Sequence, residues 1–340
     1  MLGSRVDVTD VRLPRFPVFL PMASCPRRCV YCHQGEITGE GGVPPASVKE
    51  SLARLETPHE ICYFGGSFTC LPEEQRGAYL DAVRSAPDGS VVRFSTHPLC
   101  VAGPVLRGLS THPVSMIELG VSSLDDTVLA ACNRGYTGEF ALGVMDLVMR
   151  EGYRLGVQLM TGLPGQSEES SLEDLRRIAL LRDRAGAPAV SLRIYPCLVL
   201  EKTGLSEMFR RGDYSAPSLD HAVLHAGRML REAKRLGFLV QRVGLHDTPS
   251  LSTNVVAGPY HPAFGELARS VELVACLLEA NPAGPWEIDG RRRSMLFGHD
   301  RYGLRHLADR TGLSPSRIEG LIRFKEVMTG RRGTNDVPGD

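Results

Sequence analysis

No apolar run in this 340-residue sequence approaches the roughly 20 residues needed to cross a bilayer, so no membrane-embedded segment is expected. Charge of one sign is not in excess either. The 39 basic residues meet 39 acidic ones, which leaves no global field to draw in nucleic acid or a membrane surface. The opening residues carry Arg5, Asp7 and Asp10 and lack the charged-then-apolar layout of a secretion signal. Internal repeats and long low-complexity linkers are missing too, and the arginine clusters at 291–293 and 331–332 read as solvated surface. Together these absences predict a cytoplasmic protein. In that compartment its nine cysteines are expected as free thiols or metal ligands rather than as disulfides.

Six of the cysteines, Cys62, Cys70, Cys100, Cys132, Cys197 and Cys276, are scattered singly and read as small buried apolar residues. The other three form a constellation. Cys25, Cys29 and Cys32 lie within eight residues, directly behind the apolar run Phe16-Pro-Val-Phe-Leu-Pro21. Three thiolates at this spacing can hold three corners of an iron–sulfur cube and leave one iron open, whereas a fully cysteine-ligated cluster mostly carries electrons. Three other readings stand beside this one. A zinc site needs a fourth ligand, and His33 is poorly placed next to Cys32. Cys29-Val-Tyr-Cys32-His33 matches the haem-attachment pattern in form. A thioredoxin-like pair would leave Cys25 unused.

Short β-rich runs alternate with segments of helical period. Strands are predicted at 16–20, 61–64, 91–95, 115–121, 154–160 and 190–195, with helices near 46–55, 72–84, 104–110, 141–150 and 172–184. Several strands read as nearly continuously apolar, as in a parallel sheet covered by helices on both faces. The fold class expected is α/β: a partial (β/α)6 barrel with a small C-terminal α/β extension. The extension contains a helix at 219–236, a strand at 238–243, a helix at 262–280 and two short helices in 300–327, split at Gly312-Leu-Ser-Pro315. The corresponding domains are 1–200, 201–330 and a disordered tail at 331–340. In such a barrel the turns after the strands share one face. That places the cysteine loop, the Gly65-Gly66 turn and the Gly162-Leu-Pro-Gly165 turn together.

The stretch Cys25-Pro-Arg-Arg-Cys29-Val-Tyr-Cys32 resembles the signature of the radical S-adenosylmethionine (radical SAM) enzymes, with Tyr31 as the aromatic residue before the last cysteine. The resemblance implies a 4Fe-4S cluster on Cys25, Cys29 and Cys32 and S-adenosyl-L-methionine chelated at the open iron. Reductive cleavage would then give methionine and a 5′-deoxyadenosyl radical. Gly65, Gly66 and Ser67 resemble the turn that meets the methionyl amino group, although Ser67 stands where Glu is commonest. Glu118-Leu-Gly-Val-Ser-Ser-Leu-Asp-Asp126 and Asn133-Arg134-Gly135-Tyr-Thr137 are similar to the branch containing coproporphyrinogen-type and Elongator-type enzymes. There Arg134 takes the carboxylate position, and Ser122 replaces a Gln near the ribose. Gln158 falls at a ribose position and Gly162 beneath the adenine.

Arg193-Ile-Tyr-Pro-Cys-Leu-Val-Leu200 and Ala257-Gly-Pro-Tyr-His-Pro-Ala-Phe-Gly265 resemble the short bacterial relatives of the Elongator catalytic subunit. An acetyltransferase domain is not expected in the remaining length, so acetyl-transfer chemistry does not carry over. Arg193, Tyr195 and His261 are the candidate catalytic residues on the substrate side, with Arg242, His246 and Tyr260 nearby. They could grip an anionic group; alternatively Arg193 and Arg242 pair internally with carboxylates such as Glu118, and His246 is a satisfied loop residue. The function expected is hydrogen abstraction from an unidentified substrate, with electrons from flavodoxin or ferredoxin. Two alternatives are a cluster-containing haem-binding or redox partner, and an enzyme that modifies RNA.

Overall fold

The computed structural model of the protein describes residues 13–20, 25–33 and 42–325. By contact it divides into Met1–Phe264 and Gly265–Asp340. In the first unit the strands are β1 Arg15–Leu20, β2 Glu60–Gly65, β3 Val91–Thr96, β4 Val114–Ser122, β5 Arg154–Thr161, β6 Ser191–Pro196, β7 Val199–Leu200, β8 Leu239–Val243 and β9 Val255–Ala257. Seven of them make one sheet in the order β1-β2-β3-β4-β5-β6-β8, and each neighbouring pair is parallel. This curled sheet is the expected partial barrel with one strand more. The seventh strand had been expected in a C-terminal extension. Its union with β6 is why the division falls after Phe264 and not at residue 200.

Parallel neighbours require crossovers, and helices supply them. They are α1 Pro45–Leu52, α2 Glu73–Ala82, α3 Gly103–Gly108, α4 Asp126–Ala131, α5 Gly138–Arg150, α6 Glu168–Arg184, α7 Gly204–Arg211, α8 Leu219–Arg235 and α9 Pro249–Asn254. Their starts are written locally: Thr137, Ser167 and Ser218 each cap a helix by accepting a backbone N–H. Apolar stripes then bury Val144, Met145 and Val148 of α5, and Ala226, Met229 and Leu230 of α8. The first stripe packs on β4 and β5, the second on β5, β6 and β8. Burying one such large side chain contributes about 1.5–3 kcal/mol.

The strands correct one expectation. They alternate instead of reading apolar on both faces. Ile61, Val92, Phe94, Ile117, Leu119, Val157, Leu192 and Ile194 are buried on one face, toward the helices. Residues of the opposite parity, Cys62, Arg93, Glu118, Gln158, Arg193 and Arg242, share the other face, with Cys62–Arg93, Gln158–Arg193 and Arg193–Arg242 as register partners. The second face is therefore polar and carries ions. A two-stranded antiparallel pair, β7 with β9, follows the sheet and was not foreseen. A second correction concerns thiols: Cys70 and Cys100 form a disulfide between the turns after β2 and β3, not two free cysteines. Seven cysteines are free, including the buried Cys62, Cys132 and Cys197.

In the second unit, α10 Phe264–Ala280 leads to β10 Trp286–Asp289, α11 Arg293–Thr311, α12 Pro315–Leu321 and β11 Ile322–Lys325. The two strands pair in parallel. Leu273, Val274, Leu277, Trp286, Ile288, Leu304, Leu307 and Ile318 form its core. The expected split is present, with Gly312 ending α11 in the left-handed region and Ser314 capping α12. Residues 326–327 of that expected pair and the tail expected at 331–340 lie outside the described residues. Among the described residues no helix is long and apolar enough to cross a membrane.

One buried acid sets a pH dependence. Asp174 on α6 is 2 % exposed and accepts a hydrogen bond from Ser123 Oγ at 2.8 Å. Burial pushes its carboxyl up to about 7, against the smaller opposing effect of Ser123. A raised folded pKa means that its share of stability is fully present below the ordinary aspartate value of 3.8 and is lost progressively as pH rises from there to about 7. Asp174→Asn is therefore expected to flatten the fall in melting temperature over that window. Thermal unfolding of both proteins across a pH series tests this, and parallel curves would contradict it.

Candidate functional site

Because the sheet is parallel, the turns that follow its strands lie along one edge. The cysteine loop follows β1 on this edge. Cys25, Cys29 and Cys32 are free and partly exposed, and the Cys32 N–H donates to Cys29 O at 3.0 Å. Cys25 Sγ lies 3.4 Å from Ser67 Oγ, which joins the loop to the turn after β2. That turn demands glycine. Gly65 has φ +97°, and a Cβ there would stand 3.0 Å from Leu20 O of the adjacent strand.

The other side of the loop is held by Arg134, which is 5 % exposed. Its Nη1 donates to Cys29 Sγ at 2.8 Å and reaches Tyr31 Oη at 3.4 Å. Nη2 donates to Gly120 O at the end of β4 and to Tyr136 Oη at 2.8 Å. Tyr136 in turn donates to Val121 O at 2.7 Å. Tyr31 Oη and Ser122 Oγ are 2.6 Å apart, with Ser122 itself at φ 74°. Burial works against the guanidinium's charge, but Tyr31, Tyr136 and Cys29 hold its pKa well above the usual arginine range. Burial pushes Tyr31 well up and Tyr136 up to about 12. At neutral pH the loop thus meets a fixed cation ringed by neutral phenols.

This donor set suits an iron–sulfur cube. Thiolates are soft ligands for such clusters, and a guanidinium is a charge-complementary neighbour for one. Among the described residues no three His, Cys, Asp or Glu side chains are drawn together as a single-ion site. The zinc alternative therefore has no gathered ligand set there. A cube offers a separate iron to each sulfur, so three thiols spaced along an irregular loop match its demand in number and kind.

The polar face of the sheet continues from this edge. Glu118 Oε1 accepts from Arg93 Nη2 at 2.6 Å and from Arg193 Nε at 2.7 Å. Arg193 Nη1 donates to Tyr195 Oη at 3.1 Å, and its guanidinium covers the Phe64 ring. Arg93 also approaches Glu60 at 3.6 Å, and Glu60 pairs with Arg15. Burial opposes ionisation of Glu118, yet the two arginines hold its pKa below the usual carboxylate range. Space for the carboxylate comes from Gly156, where a Cβ would fall 2.6 Å from Glu118 Cγ. Arg193 therefore pairs internally, as one of the two expectations had it. Arg242 does not follow suit: it donates to Gly244 O, Leu245 O and His246 Nε2.

The remaining candidates are spread along the edge. Gln158 pairs in register with Gly120, where a Cβ would meet Gln158 Oε1 at 3.6 Å and Arg134 Nη2 at 4.0 Å. Gly162 accepts from Tyr214 Oη at 2.6 Å and borders a cavity of about 450 Å³ with Pro217 and His225. His261 is apart from the cysteine loop, in a small cleft with His246, Asp247 and Tyr260, and its Nδ1 accepts from Ala263 N at 3.0 Å. Two neighbours of Arg134 had not been singled out as site residues. Tyr136 sits two positions beyond it in the same motif, so the motif held the signal. His97, whose ring meets Tyr136 edge-on, follows β3; burial, then Arg134 and Arg27, lower its pKa to about 3.

The shared carboxylate yields a direct expectation. Glu118→Gln leaves buried Arg93 and Arg193 without their common anion and is expected to lower stability by about 3–5 kcal/mol. Denaturant unfolding measures it, and a loss within about 1 kcal/mol, as at exposed pairs, would show that other groups neutralise both arginines.

Comparison with known proteins accords with this geometry. The family model described as "Radical SAM superfamily" matches residues 19–178, and that described as "Radical_SAM C-terminal domain" matches 190–272. The tRNA uridine(34) acetyltransferase of Methanocaldococcus infernus is 34 % identical, the match covering 59 % of this chain and 46 % of that protein. Human Elongator complex protein 3 is 26 % identical, covering 59 % and 45 %. The chain thus spans about half the length of the curated relatives it matches. Among solved structures, the archaeal Methanocaldococcus infernus Elp3 aligns with a TM-score of 0.57 at 20 % identity, covering 79 % of this chain and 63 % of that one. Coproporphyrinogen III oxidase from Escherichia coli aligns at 0.50 and 18 %, covering 66 % and 54 %; both likenesses concern the fold. A cysteine loop on a partial barrel, matched by both family models, places the chain in the radical SAM superfamily of enzymes, whose cofactors are a 4Fe-4S cluster and S-adenosylmethionine.

Proposed function

We propose that the protein is a cytoplasmic radical SAM enzyme that cleaves S-adenosylmethionine reductively and removes a hydrogen atom from its substrate. One observation carries this reading: the free thiols of Cys25 and Cys29 are fastened between the Ser67 turn and the buried Arg134 guanidinium. Cys25, Cys29 and Cys32 would hold the cluster. Arg134 would receive the methionyl carboxylate, the Gly65-Gly66-Ser67 backbone the amino group, and Tyr31, Ser122, Gln158 and Gly162 the nucleoside. When bound, these groups supply one-electron scission of a sulfonium to methionine and a 5′-deoxyadenosyl radical.

The chain's own residues contribute orientation and dryness. Arg134 is fixed by Gly120 O and Tyr136 before any ligand arrives, so little freedom is lost when a carboxylate meets it. Tyr31 and Tyr136, themselves partly buried, cover that charge. Arg193, Tyr195 and His261 belong to the substrate side in this reading. Flavodoxin or ferredoxin would serve as electron donor.

Anaerobically reconstituted protein is expected to carry about four irons and to lose them in the Cys25→Ala/Cys29→Ala/Cys32→Ala variant. With dithionite and S-adenosylmethionine the loaded protein is expected to form 5′-deoxyadenosine and methionine. Full iron loading in the triple variant, or no product from a loaded native protein, would overturn the proposal.

A second reading takes tRNA as substrate, because one relative is named a tRNA uridine(34) acetyltransferase. Binding to tRNA should then weaken steeply with salt. A salt-independent or undetectable interaction would dismiss it.

A further inference from the structure

Charges on the polar face of the sheet do not balance among the described residues. Arg15, Arg93, Arg193 and Arg242, with Arg154 exposed to solvent at the start of β5, share it with two carboxylates, Glu60 and Glu118. Three of these guanidiniums are answered: Arg15 by Glu60, Arg93 by both acids, Arg193 by Glu118. Arg242 is not. Its partners are the carbonyls of Gly244 and Leu245 and the neutral acceptor Nε2 of His246. It is half-buried, and in register it lies directly beside Arg193, another cation. Burial and Arg193 both lower its pKa. A partly desolvated cation beside a like charge is costly unless an anion joins it.

The surroundings supply further donors. Arg193 uses Nε for Glu118 and Nη1 for Tyr195, which leaves its Nη2 edge without a hydrogen bond among the described residues. Tyr195 Oη accepts from Arg193 and keeps its own proton to donate. Tyr195 follows Arg193 by two residues on the same face, one strand from Arg242. Arg193 lies mid-strand on β6, Tyr195 and Arg242 near the ends of β6 and β8, all on the sheet face that also carries Gln158. Guanidinium edges with a phenol make a pairing site for a planar or tetrahedral oxyanion.

We propose that the substrate is a small anionic molecule whose carboxylate or phosphate group is held by Arg242, the free edge of Arg193 and the Tyr195 hydroxyl. This rests on the proposed function, since it names the substrate class of the same barrel mouth. One half-buried guanidinium without a carboxylate among the described residues answers one oxyanion, whereas a polynucleotide needs several phosphate contacts, and the chain has no net charge to provide them.

The test uses cluster-loaded protein saturated with S-adenosylmethionine, so that Arg134 is occupied. Inorganic phosphate and citrate are titrated separately by calorimetry. Saturable binding of at least one is expected, in the millimolar range or tighter; phosphate alone would indicate a phosphate ester, and citrate alone a carboxylate. Arg242→Gln should weaken it at least about tenfold, while Arg242→Lys, which keeps the charge and loses the fork, should fall between. Arg150→Gln, at an exposed pair with Asp146, should change nothing. If Arg242→Gln does not fold, tungstate soaked into native crystals should give anomalous density beside Arg242 and Tyr195. Density only elsewhere, equal affinity in native and Arg242→Gln proteins, or saturation by tRNA but by neither small anion would overturn the inference. Loss of anion binding in a preparation that still yields 5′-deoxyadenosine would sink this proposal alone, and anion binding without that product would sink only the radical chemistry.

Discussion

A single guanidinium joins the cysteine loop to the sheet. Arg134 leaves the turn after α4 and reaches under Cys29, and its remaining donors close on the end of β4 and on Tyr136. A cation this deeply buried is tolerated only when its donors find acceptors. The loop therefore cannot move independently of β4 without stranding a charge. That constraint gives a segment with little regular structure of its own a fixed address. Val30 strengthens it through two backbone hydrogen bonds, donating to Cys132 O and accepting from Leu205 N.

Below this rim lies a second network of different character. Glu118, Arg93 and Arg193 are bound by strand register: β3, β4 and β6 put them on one face through the period of two, with Gly156 of β5 leaving the gap. The helix-facing parity is apolar and stabilises the fold, while the inner parity is ionic. The sheet thus separates stability from polarity by alternation alone. The acid beneath the rim stays charged because two cations share it, and Arg242, one strand further, is left with carbonyls and an imidazole.

The sequence made the sheet legible because its strands are flanked by turn-forming residues and separated by helices, several of them capped by their own Ser, Thr or Asp. The strands and helices that were predicted through residue 280 fall close to their places, while the short helices Asp126–Ala131, Gly204–Arg211 and Pro249–Asn254 were not foreseen. The membership of β8 was not legible: five residues after a long helix look the same whether they close a barrel or begin an appendage. Only pairing with β6 decides. The β7–β9 pair was hidden for a similar reason, since two- and three-residue strands carry no periodic signal. The Cys70–Cys100 bond was missed because compartment argues about disulfides on average, while bonding depends on two turns meeting in space. At the site, the cysteines and Arg134 were visible as motif residues. Glu118 was visible as a pairing partner. That Arg242 meets no carboxylate among the described residues was not, because an unmet charge is a property of neighbours and not of the residue.

Gly156 adds a last consequence. A Cβ there would stand 2.6 Å from Glu118 Cγ, so the smallest side chain available would push the acid away from the arginines that it serves. A bare α-carbon in the middle of a strand ordinarily weakens that strand. Here it acts as an electrical spacer: an added methyl would be felt less as crowding than as a redistribution of potential across the barrel floor, with no ionisable residue altered.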